Sequence, residues 1–197
     1  MKKKDAIISL AIGLLIGIFL FFILKNVGIE IANSWTIPII LPFLALLGMF
    51  TVSILGKKFI TILQMGRFLL VGALNTFIDL GVLNILILLS GITAGLWFSA
   101  FKSVSFLVAT INSYFWNKHW TFGKGGNAFA GKEFSKFVVV TAIGMLVNVG
   151  IASLIVNVIG VQFGVSEKMW ATIGAVTASF FAWAWNFLSS KFIVFKS

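Results

Sequence analysis

The sequence contains no cysteine, one histidine, two prolines and five acidic residues in a chain of 197. Without cysteine there is no disulfide, thiolate nucleophile or cysteine-based metal site, and His119 alone excludes a cluster of several histidines. Charged residues make up 10% of the chain, whereas soluble domains have about a quarter. Hydrophobic residues make up 60% and the mean hydropathy is +1.10. This composition is typical of an integral membrane protein.

Six apolar segments are long enough to cross a bilayer, which takes about 20 helical residues. We therefore predict an all-α integral membrane protein with six transmembrane helices. The first segment follows a basic start like that of a signal peptide, but it is longer than a typical signal core, so we predict a retained helix. The longest loop among the last four helices is predicted at 117–136. The segments cover residues 6–24, 36–56, 68–89, 97–116, 137–159 and 169–189.

The positions of the positive charges predict the orientation in the membrane. Twelve cations fall on one side, Lys25 and Lys168 fall on the other, and Lys102 lies within a segment. By the positive-inside rule, both termini are expected in the cytoplasm. The net charge is +10, but its placement between apolar runs favours anionic lipid headgroups over nucleic acid as partners. The twelve are Lys2, Lys3, Lys4, Lys57, Lys58, Arg67, Lys118, Lys124, Lys132, Lys136, Lys191 and Lys196.

The last four predicted helices are interpreted as two parallel repeats of a helical hairpin, covering residues 67–122 and 136–195. Two helices in each unit return the chain to its starting side, so the repeats are parallel and not inverted. Residues 1–66 lie outside this pattern and are predicted to form an added N-terminal hairpin. The aligned pairs are Arg67 with Lys136, Asp79 with Asn148, Gly91 with Gly160, Asn117 with Ser190 and Lys118 with Lys191.

The run from Arg67 to Gly81 is the strongest candidate site, because it sets Asn75 and Asp79 into apolar sequence. A carboxylate at the bilayer centre costs several kcal/mol. Asp79 lies about 18 Å along its helix from Arg67, and Lys102 lies about 9 Å from the outer end of the next helix. Since these depths nearly coincide, we predict that Asp79 pairs with Lys102. The pair is either the charged floor of a substrate cavity or a buried structural ion pair.

A second candidate site is the polar, cationic and aromatic stretch at 113–122, together with its counterpart at 186–195. A cation at the cytoplasmic end of a helix interacts favourably with the helix dipole and with lipid phosphates. Each stretch is either an interfacial anchor or a site of headgroup or phosphate recognition. For Asn148 helix packing is the default interpretation. Packing is also favoured over ligand binding for Asn84, Asn112, Asn157 and Asn186. The candidate substrate-binding residues are Asn75, Asp79, Lys102, Asn117, Lys118, Asn148, Asn186 and Lys191.

The sequence contains no nucleotide-binding glycine loop, metal-ligand spacing or nucleophile–base pair. The glycines at 123–127 lack the phosphate-loop spacing and a preceding strand. We therefore predict that the chain is not an enzyme and that it uses no cofactor and no metal.

Four segments of residues 67–197 resemble the GtrA-like family of small bacterial membrane proteins. The resemblance implies movement of a polyprenyl-phosphate-linked monosaccharide across the cytoplasmic membrane, for glycosylation of cell-surface polysaccharide or teichoic acid. It also implies roles for Asn75, Asp79, Asn117 and Lys118, the last of which stands where the family often has arginine. Members typically have four spans, so residues 1–66 depart from the pattern. The segments are RFLLVGALNTFIDLGVLNILI, NSYFWNKHWTF, KFVVVTAIGMLVNVGIASLI and WNFLSSKFIVF.

Three functions remain open at this point. The first is a flippase for a lipid-linked sugar, with membrane lipids and membrane glycosyltransferases as further partners. The second is a non-transporting subunit that anchors or stabilises a glycosyltransferase. The third is a small-cation exporter in which Asp79 carries the coupled proton, although the cationic rim fits an anionic substrate better. Because six spans enclose little interior, a homo-oligomer is also expected.

Overall fold

The structure, a computed structural model, describes residues 1–121 and 132–189. Its described residues form helices joined by short turns, and no strand occurs among them. Short π-helical segments extend α4 over Asn117–Thr121 and α5 over Leu154–Ile159. Each predicted apolar segment coincides with one of six long helices. These helices are α1 (Lys3–Val27), α2 (Ile37–Leu55), α3 (Ile60–Ser90), α4 (Gly95–Trp116), α5 (Lys132–Ser153) and α6 (Glu167–Ser189).

Large apolar side chains are exposed along these helices, as expected when lipid tails are the solvent. On α2, for example, Phe43 is 64% exposed and Leu47 is 61% exposed. Among the described residues, four stretches are long and apolar enough to cross a membrane: Lys3–Val27, Ser34–Leu55, Ile60–Ser90 and Ala142–Ile159. The chain is therefore a helical membrane protein.

The helices divide into two compact units. The first unit contains residues 1–81 and 111–121, and the second contains residues 82–110 and 132–189. The division falls within α3, after Gly81, and within α4, after Thr110.

In the first unit, α1 packs along α2. Two glycines four residues apart on α1 meet two prolines four residues apart on α2. A methyl group on Gly13 would lie 2.5 Å from the Cα atom of Pro42, and one on Gly17 would lie 2.6 Å from the Cα atom of Pro38. Small residues at this spacing allow helix backbones to approach closely in a membrane. Proline costs little near a helix start, and Pro38 occupies the first turn of α2.

In the second unit, α5 packs against α6. The buried face of α6 is built from small residues, among them Ala171, Ala175, Ala178 and Ala182. A methyl group on Gly174 would lie 2.8 Å from the side chain of Val156. Small residues thus also mediate the helix contact in this unit.

Two predicted boundaries differ from the structure. The third helix begins at Ile60 and not at residue 68, because no proline interrupts residues 60–67. Arg67 therefore lies within a helix instead of preceding one. The predicted loop at 117–136 is shorter, since 117–121 and 132–136 are helical. Residues 122–131 and 190–197 lie outside the described residues.

Candidate functional site

A buried ion pair lies in the first unit. Nη2 of Arg67 lies 2.7 Å from Oδ1 of Asp5 and donates to Oδ2 at 2.9 Å. The indole Nε1 of Trp120 also donates to Oδ1 of Asp5, at 2.9 Å. The side chains of Arg67 and Asp5 are 14% and 3% exposed. We call these three residues the Arg67 cluster.

Three chain segments position the Arg67 cluster. Asp5 lies in the first turn of α1, where a carboxylate is favoured by the helix dipole. Arg67 lies two turns into α3, and Trp120 lies in the π-helical extension of α4. Nη1 of Arg67 donates to the carbonyl oxygen of Trp120 at 3.2 Å. Cζ of Arg67 lies 5.8 Å from the centre of the Trp120 ring, within cation–π range.

The guanidinium group of Arg67 is incompletely satisfied. Its Nε is enclosed and has no hydrogen-bond partner among the described residues. Both oxygens of Asp5 are bound by the single nitrogen Nη2, so the pair lacks the two parallel bonds that guanidinium and carboxylate groups often form.

A chain of side-chain hydrogen bonds joins α3 to α4 in the same unit. Asn112 donates through Nδ2 to Oδ1 of Asn75 at 2.7 Å. Its own Oδ1 accepts from Nε1 of Trp116 at 3.1 Å. Hydrogen bonds between membrane helices are worth about 0.6–2 kcal/mol. The predicted site residue Asn75 therefore has a helix-packing partner.

Asn117 and Lys118, two predicted site residues, lie in the π-helical extension of α4. Nδ2 of Asn117 donates to Oγ of Ser113 at 3.2 Å, and its Oδ1 accepts from Oγ1 of Thr121 at 2.9 Å. Nζ of Lys118 lies 5.9 Å from the centre of the Tyr114 ring. Single π-helical turns are rare and are often found at functional sites. Here Asn117 holds the turn in place.

Asp79, Lys102 and Asn148 are all enclosed by protein. They are 4%, 0% and 1% exposed. Asp79 lies one helical turn after Asn75 in the first unit, whereas Lys102 and Asn148 belong to the second unit. The predicted pairing of Asp79 with Lys102 therefore stays a prediction. Oδ1 of Asn148 has no hydrogen-bond partner among the described residues.

A polar network joins α4 to α5 in the second unit, and of its members only Asn157 was predicted to have a packing role. Oδ1 of Asn157 accepts from the backbone amide of Gly95 at 2.6 Å, and its Nδ2 donates to Oγ of Ser99 at 3.2 Å. Ser99 also shares a hydrogen bond of 2.7 Å with Ser153. The four-residue spacing of Ser153 and Asn157 was the available signal. Next to this network, Thr93 donates to Glu167 at 2.8 Å.

The sequence-family model of the GtrA/DPMS transmembrane domain matches residues 67–195 of the chain. The chain belongs to this family. Comparison with curated proteins and with solved structures gives no significant match. The resemblance predicted from the four sequence segments is confirmed.

The GtrA/DPMS domain begins at Arg67 and contains Trp120, whereas Asp5 lies outside it. The Arg67 cluster thus joins the N-terminal hairpin to the domain. In the same unit, the ring of Phe19 on α1 packs directly against the backbone of Gly81 on α3. The hairpin is in this way built into the first unit.

The side chains of two predicted site residues of the GtrA/DPMS domain lie outside the described part of the structure. Asn186 lies within α6, but its side chain is outside the described residues, and Lys191 is outside them entirely. Asn84, which was assigned to packing, is buried and accepts a hydrogen bond from Thr172 at 3.3 Å.

Sequence reasoning missed Asp5 as a member of a site. The signal was an acid directly after three lysines at the start of an apolar helix.

Proposed function

We propose that this GtrA/DPMS protein moves a polyprenyl-phosphate-linked monosaccharide across the bacterial cytoplasmic membrane, for decoration of a surface polysaccharide or teichoic acid. One observation carries the proposal: Asp79, Lys102 and Asn148 are buried in helices of a membrane protein. Polar and ionisable groups are costly at such depth and mark pathways for polar substrates. Membership of the family supports the same substrate class.

The proposed mechanism separates the lipid tail from its polar head. The polyprenyl tail stays in lipid, so only the phosphate and the sugar need polar partners while they cross. Lys118 offers a cation at the rim, and Lys102 offers a second one deeper in the membrane. Asn75 and Asn148 offer amides that can bind sugar hydroxyls. Because the sequence has no nucleotide loop, movement is downhill or coupled to an outside reaction, and the chain itself is not an enzyme.

We further propose that all six helices span the membrane, with both termini in the cytoplasm and the last four helices arranged as two parallel hairpin repeats. An even number of spans returns the chain to its starting side. Gly91 and Gly160, aligned in the two repeats, both have a φ of 71°. A reporter fused after residue 197 is expected to be active in the cytoplasm, and activity outside the cell only would contradict this topology.

A liposome assay tests the proposed transport. Purified protein is reconstituted with polyprenyl-phosphoryl sugar on the inner leaflet, and a glycosyltransferase with its acceptor is added outside. Wild-type protein should accelerate the consumption of the lipid-linked sugar. Asp79→Asn and Lys102→Met should slow it at least tenfold, because each removes a charge from the buried pathway. Normal rates in both variants would contradict the proposed pathway.

Thr110→Val is the matched control for these substitutions. It also removes a polar group from α4, but its hydroxyl already bonds to the carbonyl oxygen of Phe106 in its own helix at 2.8 Å. We expect an unchanged rate. All variants are first compared by size-exclusion chromatography, so that loss of folding is separated from loss of transport.

A second candidate function is a membrane subunit that anchors or stabilises a polyprenyl-phosphate glycosyltransferase. The observation that favours it is the description of the family, which joins GtrA proteins with the DPMS membrane region. The same liposomes separate the two functions. If the protein accelerates consumption of the lipid-linked sugar only when a glycosyltransferase is embedded in the same membrane, the subunit function is supported. If it accelerates consumption with only the external glycosyltransferase present, the flippase function is supported.

A further inference from the structure

We propose that Arg67 and Trp120 form a binding site for a phosphate group, and that the carboxylate of Asp5 occupies this site when no phosphate is bound. The N-terminal helix would then compete with the phosphate for the GtrA/DPMS domain. This inference rests on the proposed function for the identity of its ligand, a phosphate carried on a polyprenyl lipid.

The donors of the Arg67 cluster fit an oxyanion. Nη2 of Arg67 and Nε1 of Trp120 both point to Asp5, at 2.7 Å and 2.9 Å. Nε of Arg67 is enclosed without a partner among the described residues. A carboxylate has two oxygens, and Asp5 places both on Nη2. A phosphate has additional oxygens in a tetrahedral arrangement and can accept from Nε, Nη2 and the indole together.

The position of Asp5 makes it displaceable. It lies in the first turn of α1 and is preceded by four exposed residues, 1–4. The first turn is held by backbone bonds from Asp5 and Ala6 to the carbonyl oxygen of Lys2, at 3.0 Å and 3.3 Å. Terminal turns open at low cost. In contrast, Gly13 and Gly17 further along α1 are in close contact with α2, so only the first turn would have to move.

Charge near the Arg67 cluster favours a phosphate as the competitor. Lys2, Lys3 and Lys4 are exposed immediately before Asp5, and cations at such a position attract anionic lipid headgroups. The side chain of Arg67 keeps 14% exposure, which leaves an edge for an approaching anion. A buried ion pair is seldom more stabilising than apolar packing, so the pair of Arg67 and Asp5 is compatible with an exchange of ligands.

The first experiment measures binding of undecaprenyl phosphate to the full chain in nanodiscs of phosphatidylcholine. We expect Asp5→Asn to bind about tenfold more tightly than wild type, because the competing charge is removed. Arg67→Gln should bind at least tenfold more weakly, and the double variant should be as weak as Arg67→Gln alone. A gain that persists without Arg67, or no gain in Asp5→Asn, would overturn the proposal.

Glu30→Gln is the matched control, since it changes the net charge by the same amount at an exposed acid outside the Arg67 cluster. It should bind as wild type does, and an equal gain would mean that net charge alone explains the effect. Asp5→Glu keeps the carboxylate and should also bind as wild type does. Inorganic phosphate and phosphatidylglycerol are tested as alternative sources of the same group. A response to any of the three supports the site, the strongest one assigns the source, and no response to any of them overturns it.

A second experiment needs no substitution and so avoids the risk that Asp5→Asn fails to fold. Hydrogen exchange of wild-type protein is compared with and without undecaprenyl phosphate. Release of Asp5 should at least double the exchange rate of the backbone amides of residues 5–9, while those of residues 13–20 stay protected. Unchanged or slower exchange at residues 5–9 with bound lipid would overturn the proposal. Binding and exchange do not depend on flipping, so a failure of transport and a failure of this site remain distinguishable.

Discussion

The contact between α1 and α2 gives a prediction whose size can be worked out from the structure. A methyl group added at Gly13 would lie 2.5 Å from the Cα atom of Pro42 and 2.6 Å from the carbonyl oxygen of Leu41. Ordinary contacts between such atoms are about 3.5–4.0 Å. Because both neighbours are backbone atoms, neither can rotate away, and the two helices must separate by about 1 Å.

The cost follows from two opposing effects. Overpacking of a close contact costs about 1–3 kcal/mol, while replacing a helical glycine by alanine gains about 1 kcal/mol in helix propensity. We expect Gly13→Ala to lower the free energy of unfolding by up to about 2 kcal/mol, the difference between these effects. For a chain of this size the melting temperature should fall by up to about 8 °C.

Gly48 on α2 is the matched control, because a methyl group there would have no atom within 4 Å. Gly48→Ala keeps the propensity gain without the overlap and should melt at or above the wild-type temperature. Melting in mild detergent is monitored by size-exclusion chromatography of a fluorescent fusion protein. If Gly13→Ala and Gly48→Ala shift the melting temperature equally, the close contact does not exist as described.

Three further predictions concern polar contacts. Asn112→Leu breaks the hydrogen-bond chain between α3 and α4 and should cost about 1–2 kcal/mol of stability in the same melting assay; no loss would mean that the chain contributes nothing. Ser99→Ala should cost about 1 kcal/mol because it bonds to α5, whereas Ser103→Ala should cost less, since this hydroxyl bonds only within its own helix among the described residues. If Asp79 pairs with Lys102 as predicted, Asp79→Asn and Lys102→Met should be strongly non-additive in stability, and additive losses would exclude the pair.

The N-terminal hairpin bears on how the family domain is used in this chain. It contributes Asp5 to the Arg67 cluster and Phe19 to the contact with Gly81. In each contact, one partner lies within the matched residues 67–195 and the other lies before them. A truncation before Arg67 would therefore expose a buried guanidinium group and leave a gap beside α3, so the two parts are best studied together.

Much of the fold could be predicted from the sequence because lipid imposes a simple rule. A backbone in hydrocarbon must satisfy its own hydrogen bonds, so long apolar runs form helices. Each of the six predicted segments lies in a helix. The start of the third helix was not predicted, because Thr61, Gln64 and Arg67 interrupt the apolar run but do not end the helix.

The candidate site was predicted in part. Asn75 and Asp79 were recognised because polar groups in apolar sequence are costly, and Asp79 is indeed buried. The partner of Asn75 was not predicted, because Asn112 lies 37 residues away on another helix. Asp5 was missed for the same reason, since its contact with Trp120 joins residues 115 apart.

The sequence by itself determined that this is a helical membrane protein, which segments form its helices and which family its last two thirds belong to. These properties depend on composition, periodicity and local motifs, which can be read along the chain. Only the tertiary structure decided that Arg67, one cation among twelve on the predicted cytoplasmic side, is paired with an acid from the first turn of the chain. Helix packing brings distant residues together, and no local pattern specifies which buried charge meets which.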